Sequence, residues 1–181
     1  QTSEKKILEA INQKQILTNS SRVKNINFRN IGPSVMSGRV VDLSVNPNDP
    51  TEFYAAFATG GLWHTTDNGI SFNSIFDNSV TQNIGEIEVH WATRTIWVGT
   101  GENNSSRSSY SGVGILKSTN NGDTWENKGL SYSHHVGKIL VNPDDPNHVI
   151  VGVTGHLYSE NDMRGIYITT DGGENWENTL F

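Results

Sequence analysis

The chain has 181 residues, of which 18% are charged, with a formal net charge of −6, a pI near 5.4 and no cysteine. An acidic chain without a basic stripe argues against electrostatic capture of nucleic acid, and the missing thiols exclude disulfide staples and thiolate chemistry. With 18 Gly, 5 Trp, 5 Tyr and 6 Phe, the composition suits many short strands joined by tight turns, so an all-β domain is expected.

The chain begins at Gln1 and contains no apolar run approaching the ~18 residues of a membrane span, so neither a spanning helix nor a signal peptide is expected within it. Residues 4–17 place Ile7, Leu8, Ile11 and Leu17 on one helical face, which predicts a short amphipathic helix, and 18–25 read as linker. Ile26 to Ile31 alternate apolar and polar residues before Gly32-Pro33, the pattern of a single strand ahead of the main domain. Domain organisation is therefore expected as a helix and linker over 1–25 and a β domain over 26–181.

Within the β domain one pattern recurs three times. Thr65-Thr66-Asp67-Asn68-Gly69-Ile70-Ser71-Phe72 returns as Ser118-Thr119-Asn120-Asn121-Gly122-Asp123-Thr124-Trp125 and as Thr169-Thr170-Asp171-Gly172-Gly173-Glu174-Asn175-Trp176. The spacing of just over fifty residues points to a solenoid, propeller or array. The residues also have a mechanical reading. A hydroxyl ends one strand, a short Asp or Asn side chain folds onto nearby amides, Gly supplies a positive φ, and an aromatic residue opens the next strand. Asp67, Gly69, Phe72, Asn120, Gly122, Trp125, Asp171, Gly173 and Trp176 are accordingly assigned to structure.

Each repeat offers four strands. In the first they are 39–45, 53–58, 61–65 and 71–76; in the second 86–91, 95–100, 114–119 and 124–128; in the third 138–141, 148–153, 165–170 and 175–181. A second recurrence, Val45-Asn46-Pro47-Asn48-Asp49-Pro50 and Val141-Asn142-Pro143-Asp144-Asp145-Pro146, falls between the first and second strands. Pro and Asp there favour turns, so Asp49, Asp144 and Asp145 are read as turn formers and not as calcium ligands. The middle repeat shortens this turn to Ala92-Thr93-Arg94.

Because antiparallel strands alternate direction, the first turn and the repeated turn of each blade share one side, and the remaining links share the other. That other side carries the long polar loops 102–113 and 154–164 and the link 131–136. Long loops on a rigid scaffold are where binding resides, which makes Arg39, Glu102, Arg107, Tyr110, His134, His135, His156, Tyr158 and Arg164 the candidate ligand-binding set. No cofactor or metal is expected. His134, His135, His156 and Asp162 lack recognised ligand spacing, and adjacent histidines on a strand would point to opposite sides.

The repeated turn resembles the Asp-box, S-x-D-x-G-x-T-W. Taken with Phe28-Arg29-Asn30-Ile31-Gly32-Pro33, Gly38-Arg39, Gly99-Thr100-Gly101-Glu102-Asn103-Asn104 and Thr154-Gly155-His156-Leu157-Tyr158, the chain from 26 to 181 resembles exported bacterial BNR/Asp-box β-propeller proteins related to the sortilin (Vps10-type) domain. More distantly it is similar to sialidases and xyloglucanases. The resemblance implies a β-propeller segment of about three four-stranded antiparallel blades. It further implies export to the periplasm, cell surface or medium, and a glycan, peptide or protein ligand.

Three blades are too few for a closed ring, so further blades from the same parent chain or another copy are expected partners. A glycoside hydrolase is the alternative function, and an assembly platform in an envelope complex a third. The hydrolase reading needs paired carboxylates, with Glu102, Asp42 and Asp162 as the candidates. Ala58 stands where the resemblance to xyloglucanases would require Asp, and Arg39, Arg107 and Arg164 do not fall in sialidase motifs.

Overall fold

The computed structural model describes residues 2–26, 28, 38–107 and 109–181. The chain divides into two compact units, Gln1–Met36 and Ser37–Phe181.

In the first unit, helix α1 runs from Glu4 to Ser20, one turn beyond the expected end. The Thr18 hydroxyl donates to the Lys14 carbonyl at 2.9 Å and the Ser20 hydroxyl to the Leu17 carbonyl at 3.2 Å, which satisfies carbonyls in the last turns. The helix has no fully buried residue. The Ile26 N–H donates to the Val23 carbonyl, so Ile26 sits in a turn, and most of the strand expected over 26–31 lies outside the described residues. No helix of the described residues is long and apolar enough to cross a membrane.

The second unit is three four-stranded antiparallel sheets, each wound in chain order. The first contains β1 (Val40–Val45), β2 (Phe53–Phe57), β3 (Gly61–Thr65) and β4 (Asn73–Ser74). The second contains β5 (Ile84–His90), β6 (Thr95–Thr100), β7 (Ile115–Ser118) and β8 (Glu126–Asn127), and the third β9 (Val136–Asn142), β10 (Asp145–Val153), β11 (Gly165–Thr169) and β12 (Glu177–Leu180). The outermost strands β4 and β8 are only two residues long, shorter than the alternating pattern predicts. A short edge strand limits unpaired backbone.

The sheets stack as propeller blades, and period-two alternation supplies the cores between them. Tyr54, Ala56, Leu62 and Phe76 of the first blade meet Ile87, Val89, Ile96, Val98 and Leu116 of the second. Trp97 and Ile115 on the opposite face of the second blade meet Ile139, Val149, Val151 and Tyr167 of the third. Register shows how regular this is. Leu43 pairs with Ala55, Ile87 with Val98 and Ile139 with Val151, so these inner-strand residues are counterparts. Ile87 and Ile139 are buried between blades, whereas Leu43 on the outer face of the first blade is half exposed.

The three repeated turns share one hydrogen-bond lattice. The hydroxyl of Thr65, Ser118 or Thr169 donates to the side-chain oxygen of Asp67, Asn120 or Asp171 and accepts the N–H of Gly69, Gly122 or Gly173. The Asp or Asn oxygen then accepts the N–H of Ser71, Thr124 or Asn175. Departures from the repeat keep the final bond by exchanging chemistry. The Ser71 hydroxyl donates to Asp67, Asn120 instead donates to Thr124, and Asn175 donates its amide to Asp171. These bonds hold the carboxyls of Asp67 and Asp171 well below the usual range.

The aromatic residue that follows pins neighbouring blades together. The Trp125 indole donates to the Ile75 carbonyl at 3.0 Å and that of Trp176 to the Lys128 carbonyl at 2.6 Å, each reaching the outer region of the preceding blade. Phe72 has no N–H and packs on Phe53 of its own blade.

Candidate functional site

Backbone bonds assign the loops to two sides. On the short-turn side, the Asn68 N–H bonds the Thr51 carbonyl and the Gly172 N–H bonds the Asn147 carbonyl, joining the repeated turn to the first turn in the first and third blades. Asn46 and Asn142 accept the N–H of Asn48 and Asp144, and Asp49 and Asp145 accept those of Thr51 and Asn147. These Asp and Asn side chains close turns, and no cluster of metal-ligating side chains is present among the described residues.

On the long-loop side, the Gly112 N–H donates to the His134 carbonyl at 2.7 Å, the Gly101 N–H to the Asn83 carbonyl at 3.0 Å, and the Thr154 N–H to the His135 carbonyl at 3.0 Å. The β6–β7 and β10–β11 loops thus both lean on the segment between β8 and β9. Gly101 permits this closeness, since a Cβ there would lie 1.8 Å from the His134 carbonyl oxygen, and its φ is +86°.

Glu102 organises the β6–β7 loop from inside. It is fully buried, pairs with the Arg39 guanidinium at 2.8 Å, and accepts the Asn104 N–H at 2.7 Å and the Ser109 hydroxyl at 2.6 Å. A carboxylate so enclosed and so bonded holds the loop from within, where the sequence reading places it in the ligand-binding set. Arg39, half exposed, spans from the first blade to the second through this pair.

The histidines form a partly buried cluster. The rings of His134 and His156 lie 3.9 Å apart, tilted by 37°, and Tyr132 packs edge-on against both, at 5.2 Å and 5.0 Å. His134 and His135 are not on a strand, as β9 begins at Val136. His135 and His156 are nearly as buried as Glu102, so neither is presented on the surface. Burial first, and the neighbouring His156 and His135 second, lower the His134 pKa to about 4. Burial also lowers that of His135, opposed by the backbone and charge of Glu102.

The remaining candidates are exposed. Tyr158 is 73% exposed, yet its hydroxyl donates to the Ser106 carbonyl at 3.0 Å, so one long loop holds the aromatic ring of the other in place. Tyr110 is 56% exposed and Arg107 is exposed on the first of these loops. Arg164 is tied through Nε to the Thr154 carbonyl at 3.1 Å. Leu157, Tyr158, Asn161, Asp162 and Arg164 line an open groove of about 640 Å³. Sequence reasoning passed over Tyr132, although it lies beside His134 in the segment already singled out. It also passed over Ser106 and Ser109, which act through a backbone carbonyl and a hydroxyl that composition cannot reveal.

Fold and site together define a β-propeller segment with one elaborated face. No known protein-family profile matches the chain, and no curated protein matches it. Solved structures do. An ancestral GH74 enzyme superposes with a TM-score of 0.63 at 21% identity, over 82% of this chain and 19% of its own. YCF48 from Cyanidioschyzon merolae superposes with a TM-score of 0.53 at 18% identity, over 81% of this chain and 38% of its own. YCF48 bound to D1 peptide gives 0.51 at 14%, over 79% and 40%. The chain therefore spans well under half the length of each of these structures. At such identity the likeness is one of fold.

Proposed function

We propose that the chain is part of an exported β-propeller recognition module that binds a peptide or protein partner through its long-loop face. The carrying observation is the Tyr158–Ser106 bond, which fixes an exposed aromatic ring between two long loops while Glu102 braces one of them from within. Preorganised aromatic surface flanked by arginine is the composition of binding hot spots, because little side-chain entropy is lost on contact. YCF48, a structure of similar fold, is seen with a peptide, which supports this choice over a glycan. The resemblance to exported BNR/Asp-box and sortilin-type propellers supports the location, and the half-exposed Leu43 supports further blades as neighbours in the assembled ring.

The alternative, glycoside hydrolysis, draws on the GH74 likeness of fold. Glu102 is enclosed and paired with Arg39, and Ala58 is buried where the xyloglucanase resemblance would call for a carboxylate. Such an enzyme would need both of its carboxyl groups facing the substrate. Screening the chain against a displayed random-peptide library and a chromogenic glycoside panel separates the two readings. Enrichment of peptides that Tyr158→Ala no longer captures supports recognition. Turnover on the panel, abolished by Glu102→Gln, would replace it with catalysis.

A further inference from the structure

Residues 131–136 link the second and third blades and are the place where both long loops converge. The His134 carbonyl accepts the Gly112 N–H from one loop, and the His135 carbonyl accepts those of Thr154 and Gly155 from the other, at 3.0 and 3.4 Å. His134 occupies the left-handed region with φ of +60°, and the His135 N–H closes back onto the Ser133 carbonyl at 2.7 Å. This is a three-residue turn in a backbone region that residues other than Gly adopt only under strain. Packing must hold it shut.

What packs there is unusual for a structural core. Around the turn stand Tyr132, His134 and His135 from the link itself, His156 with Ser159 from the β10–β11 loop, and Glu102, paired with Arg39, from the β6–β7 side. Three buried polar atoms in this small region, the Ser133 hydroxyl, His135 Nδ1 and His156 Nε2, have no hydrogen-bond partner in the structure. In a low-dielectric interior such groups are costly, so small changes in charge weigh heavily there.

We propose that His134 and His135, packed with Tyr132 and His156, form an acid-operated latch: the neutral rings of His134 and His135 hold the two long loops against the link, and their protonation lets the loops part. A charged His134 ring would sit 3.9 Å from the tilted ring of His156 with no carboxylate in ion-pairing range among the described residues, since Glu102 lies toward His135 and is already engaged by Arg39. The sign follows from the lowered pKa of His134. The closed form is favoured with His134 neutral, above the free value of 6.5, and loses that advantage as pH falls from there toward about 4. The latch stands whatever the face binds, because its readout is the loop contact itself.

Amide hydrogen exchange of the full chain between pH 7.5 and 4.5, expressed as protection factors, tests it. Protection of Gly112, Thr154 and Gly155 should fall about tenfold on acidification, the order expected for linked protonation discounted for partial exposure. Gly69 and Gly122, held by the repeated turns, serve as references and should stay within about twofold. His156→Gln should flatten the loop response, and the wild-type titration decides the matter alone should that variant not fold. Constant loop protection, a parallel loss at the reference amides, or an unchanged response in His156→Gln would each overturn the latch.

Discussion

Arg94, from the shortened turn of the second blade, grips Glu52 of the first blade with both terminal nitrogens of its guanidinium. Glu52 is buried and also accepts from Asn46 at 2.6 Å, and it contacts His64 Nε2 at 3.1 Å. The Arg94 bond, ahead of the smaller contributions of Asn46 and His64, holds the Glu52 pKa near 2 against burial, which alone would raise it. Arg94→Ala leaves a buried carboxylate with weaker partners. Because Arg94 itself is half exposed, a loss of about 1–2 kcal/mol is expected in a denaturant titration.

Acid stability should report the same pair. A carboxylate whose folded pKa is depressed stabilises above its unfolded value, here 4.5, and that contribution disappears as pH falls from 4.5 toward about 2. Melting temperature followed over this window should decline for the wild type, and the decline should be shallower in Glu52→Gln.

The indole bonds between blades separate packing from hydrogen bonding. Trp125→Phe keeps an aromatic ring against Phe76 but removes the donor to the Ile75 carbonyl, which should cost about 1 kcal/mol. Trp125→Ala also opens the interface and should cost about 3–5 kcal/mol. Chemical denaturation of the two variants checks the ratio.

Gly101→Ala places a methyl group against the His134 carbonyl in a backbone region that L residues rarely adopt. The variant should lose about 1–3 kcal/mol, and the loss should appear first as faster exchange at Gly112. Uniform destabilisation of all three blades would show that the loop contact is not local.

The fold was readable because its determinants are local. Thr65, Asp67 and Gly69 and their counterparts form a turn whose donors and acceptors lie within a few residues of one another, and Asn120 and Asn175 preserve that turn by chemistry that the sequence displays. Strand alternation likewise fixed which faces meet. The site was harder to read. Glu102, His135 and His156 have the residue types of a surface site, yet their burial depends on a Gly101 contact and an Arg39 pair formed with residues 33 and 63 positions away. Arg94 escaped notice for the same reason, since its partner Glu52 lies 42 residues earlier.

The most direct test of the central claim is to compare the two sides of the propeller in one binding measurement. A peptide selected on the wild-type chain is titrated by calorimetry against Arg107→Ala with Tyr158→Ala, which alters the long loops, and against Asp49→Ala, which alters a short turn. The account predicts at least a tenfold weaker Kd for the loop variant, unchanged melting temperature, and wild-type affinity for Asp49→Ala. Full affinity in the loop variant together with weakened binding in Asp49→Ala would place recognition on the other side and contradict it.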